Sequence, residues 1–361
     1  MFYFAMALAL YADDDYEQVM AQLTEKLAAL RCWDSAWQDP TSGGITQARK
    51  RLGAEVLAEV YDRIAEPVAE ELTRGAWLNG RRLMAIDGFT WEMPDTKANA
   101  GHFGYAGSQD AAFPQARVVT LSECASHVTV GAVIGPVTGK ASGEQSLARA
   151  LWPRLEPDWL LIADRNFYSF NAWCEAAGTG ADLLWRVKAN LTLPVLDKHP
   201  DGSYSSLVIN PRVTGAARTR LIETACRGEE VDPLKARRVR VVEYDVPDRT
   251  DSELICLITT ITEPVQATAP DLAWAYSERW EHETLNAQIK TALRGPGRIL
   301  RSRSPDMVEQ EIYGYLLTHR ALASLICQAA TEADIDPDRV KFTRTVRIVR
   351  RRVTDTAAFP P

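Results

Sequence analysis

The sequence has little of what several common protein classes require. Its six cysteines are far apart and form no Cys-x-x-Cys pair, which excludes a zinc ribbon and gives no sign of a disulfide framework. Reduced thiols of this kind fit a cytosolic protein. The opening run MFYFAMALALY covers only about half of a membrane span and has no basic residues before it, so it predicts a buried helix and not a membrane anchor.

The chain also has fewer basic than acidic residues. The net charge of −7 and the pI of about 5.4 argue against a protein that coats nucleic acid through bulk electrostatics. Basic residues nevertheless gather locally, in residues 212–240, 290–303 and 344–352, where they could line a phosphate track or form solvated surface. With 361 residues of ordinary composition and no internal repeat, the chain is expected to form about two or three folded units.

Residues 1–80 are predicted to form a helical N-terminal domain that binds DNA. Apolar residues recur there at spacings of three and four, with almost no strand-like alternation. Between two helical stretches, SGGITQARKRLG indicates a turn followed by Arg49-Lys50-Arg51, which could be a DNA-facing corner or the solvated start of a helix.

The rest of the chain has a mixed α/β pattern. Apolar strand runs and helical stretches alternate from residue 81, and a turn-rich, β-prone stretch at 191–270 is predicted to be a β insertion. A helix beginning near Asp271 follows and ends at Gly295. We therefore assign 81–304 to an α/β catalytic domain containing the insertion, and 305–361 to a helical C-terminal segment.

Two aspartates directly follow buried strand runs. Asp87 comes after LMAI and Asp164 after WLLIA. Either one alone could be a helix cap or a turn former. Together they indicate carboxylates at neighbouring strand ends, where α/β sheets collect their ligands.

The helix beginning near Asp271 carries four polar residues on one side. Tyr276, Arg279, Glu283 and Lys290 fall within a stripe roughly 60° wide if the helix is regular. An exposed helix with ion pairs would give the same pattern. Combined with the two aspartates, however, Glu283 would complete a set of hard oxygen ligands for two divalent ions, for which Mg²⁺ is suited and Mn²⁺ is a substitute. The five histidines suggest no cluster of their own.

Three motifs together resemble the insertion-sequence-4 family of bacterial DDE transposases. They are AID at 85–87, ADRNFYS at 163–169 and Tyr-x2-Arg-x3-Glu-x6-Lys at 276–290. The resemblance implies an RNase H-like fold with a β insertion between the second aspartate and the glutamate. It also implies that Asp87, Asp164 and Glu283 bind the metal ions, and that DNA phosphates are bound by Tyr276, Arg279, Lys290 and Arg165.

The same resemblance implies the activity and the partners. The protein would cut double-stranded DNA at transposon ends and join the freed 3′ hydroxyl to target DNA, as a homodimer that synapses two ends. It would act in the bacterial cytoplasm, associated with the nucleoid and without membrane attachment. In the strand DLLWRVKAN, Arg186 and Lys188 share one face and could contact DNA or be ordinary surface residues.

The sequence leaves several alternatives open. The insertion has no tryptophan to stack a flipped base; Tyr204 and Tyr244 could replace it or be ordinary strand residues. The chain begins within a helical region and ends at Phe359-Pro360-Pro361 without an obvious terminal helix. A truncated copy that binds transposon ends without cutting is therefore one alternative function, and an RNase H-like nuclease acting on another substrate is a second.

Overall fold

A mixed sheet of ten strands forms the centre of the protein in this computed structural model, which describes residues 1–29, 38–107, 111–245 and 254–352. In sheet order the strands run β4-β3-β2-β5-β6-β10-β9-β8-β7, and β1 pairs with β2. The strands are β1 (Trp77–Leu78), β2 (Arg81–Glu92), β3 (Gln115–Glu123), β4 (Thr129–Pro136), β5 (Trp159–Ala163), β6 (Asp182–Val187), β7 (Asp197–Lys198), β8 (Tyr204–Ile209), β9 (Ala236–Tyr244) and β10 (Ile255–Thr259).

The first half of the sheet has the RNase H-like arrangement that the sequence predicts. Strands β2, β3 and β4 form an antiparallel meander, whereas β2, β5 and β6 are parallel neighbours. Every residue of β5 is buried, which is expected for a central parallel strand covered on both faces. The sheet begins at Trp77, slightly before the predicted boundary at residue 81.

Helices cover both faces of the sheet and its outer end. The α-helices among the described residues are α1 (Phe2–Leu10), α2 (Tyr16–Ala29), α3 (Ser42–Leu52), α4 (Glu55–Ile64), α5 (Lys97–Phe103), α6 (Glu144–Ala148), α7 (Phe170–Ala177), α8 (Gly215–Cys226), α9 (Ala269–Ser277), α10 (Trp280–Ala287), α11 (Pro305–Glu332) and α12 (Phe342–Arg352). Two 3₁₀ turns (Arg149–Arg154 and Pro337–Arg339) and a π-helical turn (Gln288–Leu293) complete the helical structure described.

Alternation along β2 sends its side chains into two different cores. Met84 and Ile86 pack with α7 on one face, in a cluster that includes Trp173 and Trp185. Leu83 and Ala85 point to the other face and pack with α9. The sheet therefore separates two apolar layers, and a polar residue on β2 has to belong to one of them.

The N-terminal helices pack against the C-terminal segment. Helix α1 lies along α11, and Thr318 donates a hydrogen bond to the carbonyl of Met6 at 2.9 Å. Arg350 of α12 donates to the carbonyl of Leu10 at 2.5 Å. The opening apolar run is thus a buried helix, as predicted. None of the helices in the described part of the chain combines the length and apolar character needed to cross a bilayer.

The prediction that Arg49-Lys50-Arg51 could form a DNA-facing corner is wrong in part. Helix α3 runs through the segment where the sequence indicates a turn. Arg49 is fully buried, donating hydrogen bonds to Gln310 at 2.8 Å and to Tyr16 at 2.5 Å, so it stabilises the interior and cannot face DNA. Lys50 and Arg51 are exposed.

The segment at 191–270 extends the sheet and does not form a separate β unit. Strand β10 pairs antiparallel with β6, and β9, β8 and β7 follow outward. The segment also contains α8, which the sequence did not predict because its residues show weak periodicity.

Candidate active site

The strand register brings Asp87 and Asp164 side by side. Ile86 of β2 pairs with Ala163 of β5, and Ala163 pairs with Trp185 of β6. The next residue on each strand therefore falls in one row across three parallel neighbours about 4.8 Å apart, namely Asp87, Asp164 and Arg186. Asp87 is inside β2, which continues to Glu92, and so the prediction that it ends its strand is wrong. Asp87 is the first residue of β2 beyond its parallel pairing with β5.

All three residues of this row point to one face. Asp87 shares its side of β2 with Ala85 and Phe89, by alternation. Ala85 packs in the cluster that contains Tyr276 of α9, and Phe89 packs in the cluster that contains Leu285 of α10. The two aspartates and Arg186 are thus directed at the helical unit that carries the predicted polar stripe.

That helical unit is broken in two places, whereas the sequence predicts a continuous helix. Helix α9 ends at Ser277, Glu278 and Arg279 form a turn, and α10 begins at Trp280. A π-helical turn then spans Gln288–Leu293 and includes Lys290. The predicted stripe requires a regular helix, so its angles do not hold over this length.

Arg279 connects the helical unit to the acidic residues. Its guanidinium donates to Glu283 at 2.9 Å. Burial opposes the charge of Arg279, but neighbouring Tyr276, Asp164 and Glu283 outweigh burial and raise its pKa. Burial also raises the pKa of Tyr276 to about 12, with Arg279 lowering it and Asp164 raising it further. Asp164, Tyr276, Arg279 and Glu283 are therefore electrostatic neighbours.

Asp87 has an unusual environment for a carboxylate. Its Oδ1 accepts from the amide of Gly88 at 2.8 Å, and its Oδ2 accepts from Asn286 at 3.4 Å. Burial raises its pKa to about 6, opposed by the Gly88 amide and by Arg279 and assisted by the charges of Glu144 and Glu283. The site therefore holds negative charge in a position poorly served by water.

Two residues that act on Asp87 are missed by sequence reasoning, one by a hydrogen bond and one, from the opposite face of β2, by its charge. Asn286 of α10 donates to Asp87, but no motif distinguishes it from a surface amide. Glu144 at the start of α6 lies against Gly88, where an added Cβ would come within 2.8 Å of the Glu144 Cγ. The glycine after Asp87 was the one available signal, because glycine within a strand often marks a close approach.

Basic residues also lie near this end of the sheet. Arg165 follows Asp164, and Lys188, which is exposed just beyond β6, lines with Arg165 and Arg218 a cavity of about 380 Å³. The Lys290 ammonium lies 5.8 Å from the centre of the Phe89 ring, where burial and Arg294 lower its pKa. Tyr204 and Tyr244 are half-buried strand residues, and the Tyr204 hydroxyl donates to Glu243 at 3.1 Å.

Three of the five histidines lie close together, although the sequence suggests no such cluster. Gln288 bridges His127 at 2.9 Å and His319 at 2.8 Å. His282 lies between the hydroxyls of Thr120 and Ser122, at 3.0 and 2.6 Å. The side chains meet because His282 of α10 bonds to β3, and Gln288 of the π-helical turn joins His127 to His319 of α11.

The donor set fits hard divalent cations. Asp87, Asp164 and Glu283 offer only carboxylate oxygens, which Mg²⁺ and Mn²⁺ prefer. Beside Asp87, the buried Oδ1 of Asn286 has no hydrogen-bond partner among the described residues. An oxygen-rich pocket with such an orphaned acceptor suits a hydrated cation.

The chain matches two known families and individual relatives. Residues 1–62 match the family described as insertion element 4 transposase N-terminal, and residues 78–320 match the transposase DDE domain. The chain is 27% identical over 325 residues to the transposase InsG for insertion sequence element IS4 of Escherichia coli K12, covering 88% of this chain and 68% of InsG. It is 28% identical over 149 residues to InsZ of the same strain, covering 40% of this chain and 48% of InsZ. Among solved structures, a piggyBac transposase synaptic complex with hairpin DNA aligns with a TM-score of 0.43 at 9% identity, covering 97% of this chain and 80% of that one.

Proposed function

The chain belongs to the transposase DDE domain family and acts in DNA transposition, and on that basis we propose how its residues perform the reaction. Asp87, Asp164 and Glu283 hold two Mg²⁺ ions, or Mn²⁺ as a substitute, at the scissile phosphate of a transposon end. The protein cleaves there and joins the freed 3′ hydroxyl to target DNA. The observation that carries this proposal is the row of Asp87 and Asp164 facing the helical unit that bears Glu283.

In this proposal the chain's own residues position the reacting groups. The Gly88 amide and Asn286 orient Asp87, and Arg279 orients Glu283 through their hydrogen bond. Bound divalent ions would activate the attacking oxygen and stabilise the leaving oxygen during in-line displacement at phosphorus. A water oxygen forms the new bond to phosphorus as the bond to the 3′ oxygen breaks. The 3′ hydroxyl then attacks a target phosphodiester in the same manner.

The basic residues around the site would bind DNA phosphates. Arg186, Tyr276 and Lys290 lie on the same face of the sheet as the acidic residues, and Arg165 and Lys188 line a cavity at the neighbouring strand ends. Arginine and lysine neutralise phosphate charge and so fix the position of a duplex without reading its sequence. In the helical N-terminal region, Lys50 and Arg51 remain exposed for the same purpose.

Cleavage of transposon-end DNA tests the proposal. In Mg²⁺, wild-type protein is expected to nick cognate ends, whereas Glu283→Gln binds the same DNA in a gel-shift assay but does not nick it. Glu175→Gln, which changes an exposed acid paired with Arg149, is the matched control and should cleave normally. Equal cleavage by wild type and Glu283→Gln would exclude the proposed role of Glu283. Binding without cleavage by the wild type would favour the alternative of a silent DNA-binding copy.

The assembly is part of the proposal as well. Two transposon ends have to be held together for joining, so we expect a homodimer in the complex with end DNA, acting on chromosomal DNA in the bacterial cytoplasm. Sedimentation of the protein with end DNA should give two protomers per assembly. One protomer per assembly would contradict the homodimer without affecting the catalytic proposal.

A further inference from the structure

A buried histidine outside the catalytic row faces two carboxylates from distant parts of the chain. His127 lies in the turn between β3 and β4, Glu281 in α10 and Asp338 in the 3₁₀ turn before α12. The Nε2 atom of His127 is 2.5 Å from Glu281 Oε2 and 3.2 Å from Asp338 Oδ1. One potential ligand atom from each residue lies within 4.8 Å of the others.

This triad is separate from the catalytic carboxylates. Glu281 and Glu283 are two positions apart on α10, so their side chains leave the helix about 200° apart. Glu283 pairs with Arg279, whereas Glu281 contacts His127. The catalytic proposal therefore makes no use of His127, Glu281 or Asp338.

The surroundings of the triad carry an excess of negative charge. Glu278 and Asp336 approach each other across Gly75, where an added Cβ would lie 4.0 Å from Glu278 Oε2 and 3.6 Å from Asp336 Oδ2. Burial, and then the charges of Glu281, Asp338 and Asp336, raise the pKa of Glu278 to about 7. One imidazolium, with Lys341 at the edge of the same cavity, does not balance four acidic groups, and a divalent cation would relieve more of their repulsion.

The triad borders a cavity on one side, and a hydrogen bond holds the His127 ring on the other. A cavity of about 610 Å³ is bordered by all three residues, which leaves room for water molecules as further ligands. On the other side of the ring, Gln288 holds the His127 Nδ1 at 2.9 Å and bonds His319 in turn. A half-turn of the Gln288 amide would let its oxygen accept from Nδ1–H, which is how metal-binding histidines are usually oriented.

We infer that His127, Glu281 and Asp338 form a second metal site, which binds a divalent transition-metal ion such as Zn²⁺ and ties the C-terminal segment to α10. One imidazole nitrogen and two carboxylate oxygens are ligands that Zn²⁺ accepts, whereas Mg²⁺ prefers oxygen alone. In the absence of the ion, His127 forms an ion pair. Burial opposes its charge, but hydrogen bonds to Asp338 and Glu281 outweigh burial and raise its pKa to about 9. The ion has to displace this proton.

Zn²⁺ binding to the full-length chain tests the inference independently of catalysis. With one equivalent of Zn²⁺, X-ray absorption at the zinc edge should detect an imidazole ligand, which the oxygen-only catalytic site cannot supply. Asp338→Asn should lose that signature and weaken Zn²⁺ binding by at least about 10-fold to 100-fold, the loss that even outer hydrogen bonds to a metal site produce.

Asp334→Asn is the matched control. It removes the same charge from an exposed residue of the same segment, whose φ of 53° asparagine tolerates, and it should bind Zn²⁺ as the wild type does. Should Asp338→Asn fail to fold, an anomalous-scattering peak between the three side chains in Zn²⁺-soaked wild-type crystals decides the matter. The inference is overturned if zinc binds without an imidazole ligand, or if Asp338→Asn binds zinc as tightly as the wild type. The three side chains would then form only an ion pair.

Discussion

Asp87 and Asp182 both lie on strands of the sheet, but their surroundings give them different roles. Asp182 on β6 pairs with Arg81 at 2.5 Å and accepts from Thr260, so its charge is balanced by the protein. Among the described residues Asp87 forms no salt bridge, and it accepts hydrogen bonds from the backbone amide of Gly88 and from the side chain of Asn286. A buried carboxylate without a salt-bridge partner is one that can take up a cation.

Asn286 is expected to act as a positioning residue for Asp87. Asn286→Ala removes the hydrogen bond to the carboxylate and should lower the rate of end cleavage by about 10-fold to 100-fold, as loss of an outer hydrogen bond does at metal sites. Single-turnover cleavage at saturating Mg²⁺ measures this. Gln328→Ala, an exposed amide on α11, is the control. An unchanged rate in Asn286→Ala would show that Asp87 needs no such support.

His319 is expected to make the fold sensitive to mild acid. Burial, with smaller contributions from the charges of His127 and His282, lowers its pKa to about 3. Below the ordinary histidine pKa of about 6.5, His319 takes up a proton in the unfolded chain but stays neutral in the folded chain. The free energy of unfolding therefore falls as pH falls, by about 1.4 kcal/mol per pH unit. Between pH 7 and 5 this histidine should therefore cost about 2 kcal/mol.

Urea denaturation at pH 7 and pH 5 measures that loss. His319→Gln should reduce the difference in unfolding free energy between the two pH values by about 2 kcal/mol. Gln328→Ala changes an exposed amide that does not titrate and should leave the difference as in the wild type. The same difference in His319→Gln as in the wild type would mean that His319 does not stay neutral in the fold.

At the scale of elements, α1 and α11 approach so closely that only glycine fits between them. An added Cβ on Gly314 would lie 2.6 Å from the carbonyl oxygen of Ala5. Gly314→Ala should therefore destabilise the protein by about 1–3 kcal/mol, because the two helices have to separate. Gly101→Ala, in α5 with nothing within 4 Å of its Cβ, should instead stabilise by about 0.5–1 kcal/mol. Thermal denaturation of the pair gives the comparison, and equal shifts would contradict it.

A buried ion pair ties strand β9 of the insertion to the start of α9. Asp201 accepts from the fully buried Arg240 of β9 and from the first backbone amide of α9 at 2.8 Å. Despite partial burial, hydrogen bonds from Ser203 and Ala269 and the charge of Arg240 lower the pKa of Asp201 to about 2. Its stabilisation is thus present above about pH 4 and disappears as pH falls through 2.

Removing this charge should loosen the start of α9. Asp201→Asn leaves Arg240 buried without a counter-charge and should reduce the unfolding free energy by about 3–5 kcal/mol. Asp232→Asn, at an exposed pair in the same insertion, should leave it nearly unchanged. Denaturant titration at pH 7 measures both. A small effect of Asp201→Asn would show that strand pairing and apolar contacts hold this part of the fold without the ion pair.

In the whole molecule, the exposed positive charge is smaller than the number of basic residues suggests, because several of them are buried or bonded to other parts of the chain. Arg49 and Arg240 are fully buried, and Arg298 and Arg301 bond to residues 12–14. With a net charge of −7, DNA binding has to depend on local groups. The exposed residues Arg344 and Arg347 of α12 form one such group.

The salt dependence of DNA binding tests this role of α12. If both arginines contact phosphates, Arg344→Gln/Arg347→Gln should reduce the slope of log K against log salt by about 1.8, since each duplex phosphate contact contributes about 0.9. Arg63→Gln, which changes an exposed residue paired with Glu59, should leave the slope unchanged. Fluorescence anisotropy over a salt series measures it, and equal slopes for the double variant and the wild type would exclude α12 from the DNA surface.

The sequence by itself determined the α/β order of elements, the buried first helix and the residues that carry the family motifs. Those features are local: apolar periodicity defines an element, and the identity and spacing of side chains define a motif. Only the tertiary structure decided that Arg49 is internal, that β2 continues past Asp87, and that Glu144, Asn286 and the triad of His127, Glu281 and Asp338 have acidic neighbours. These depend on strand register and helix breaks, which bring together residues far apart in the chain, and no local pattern encodes such distances.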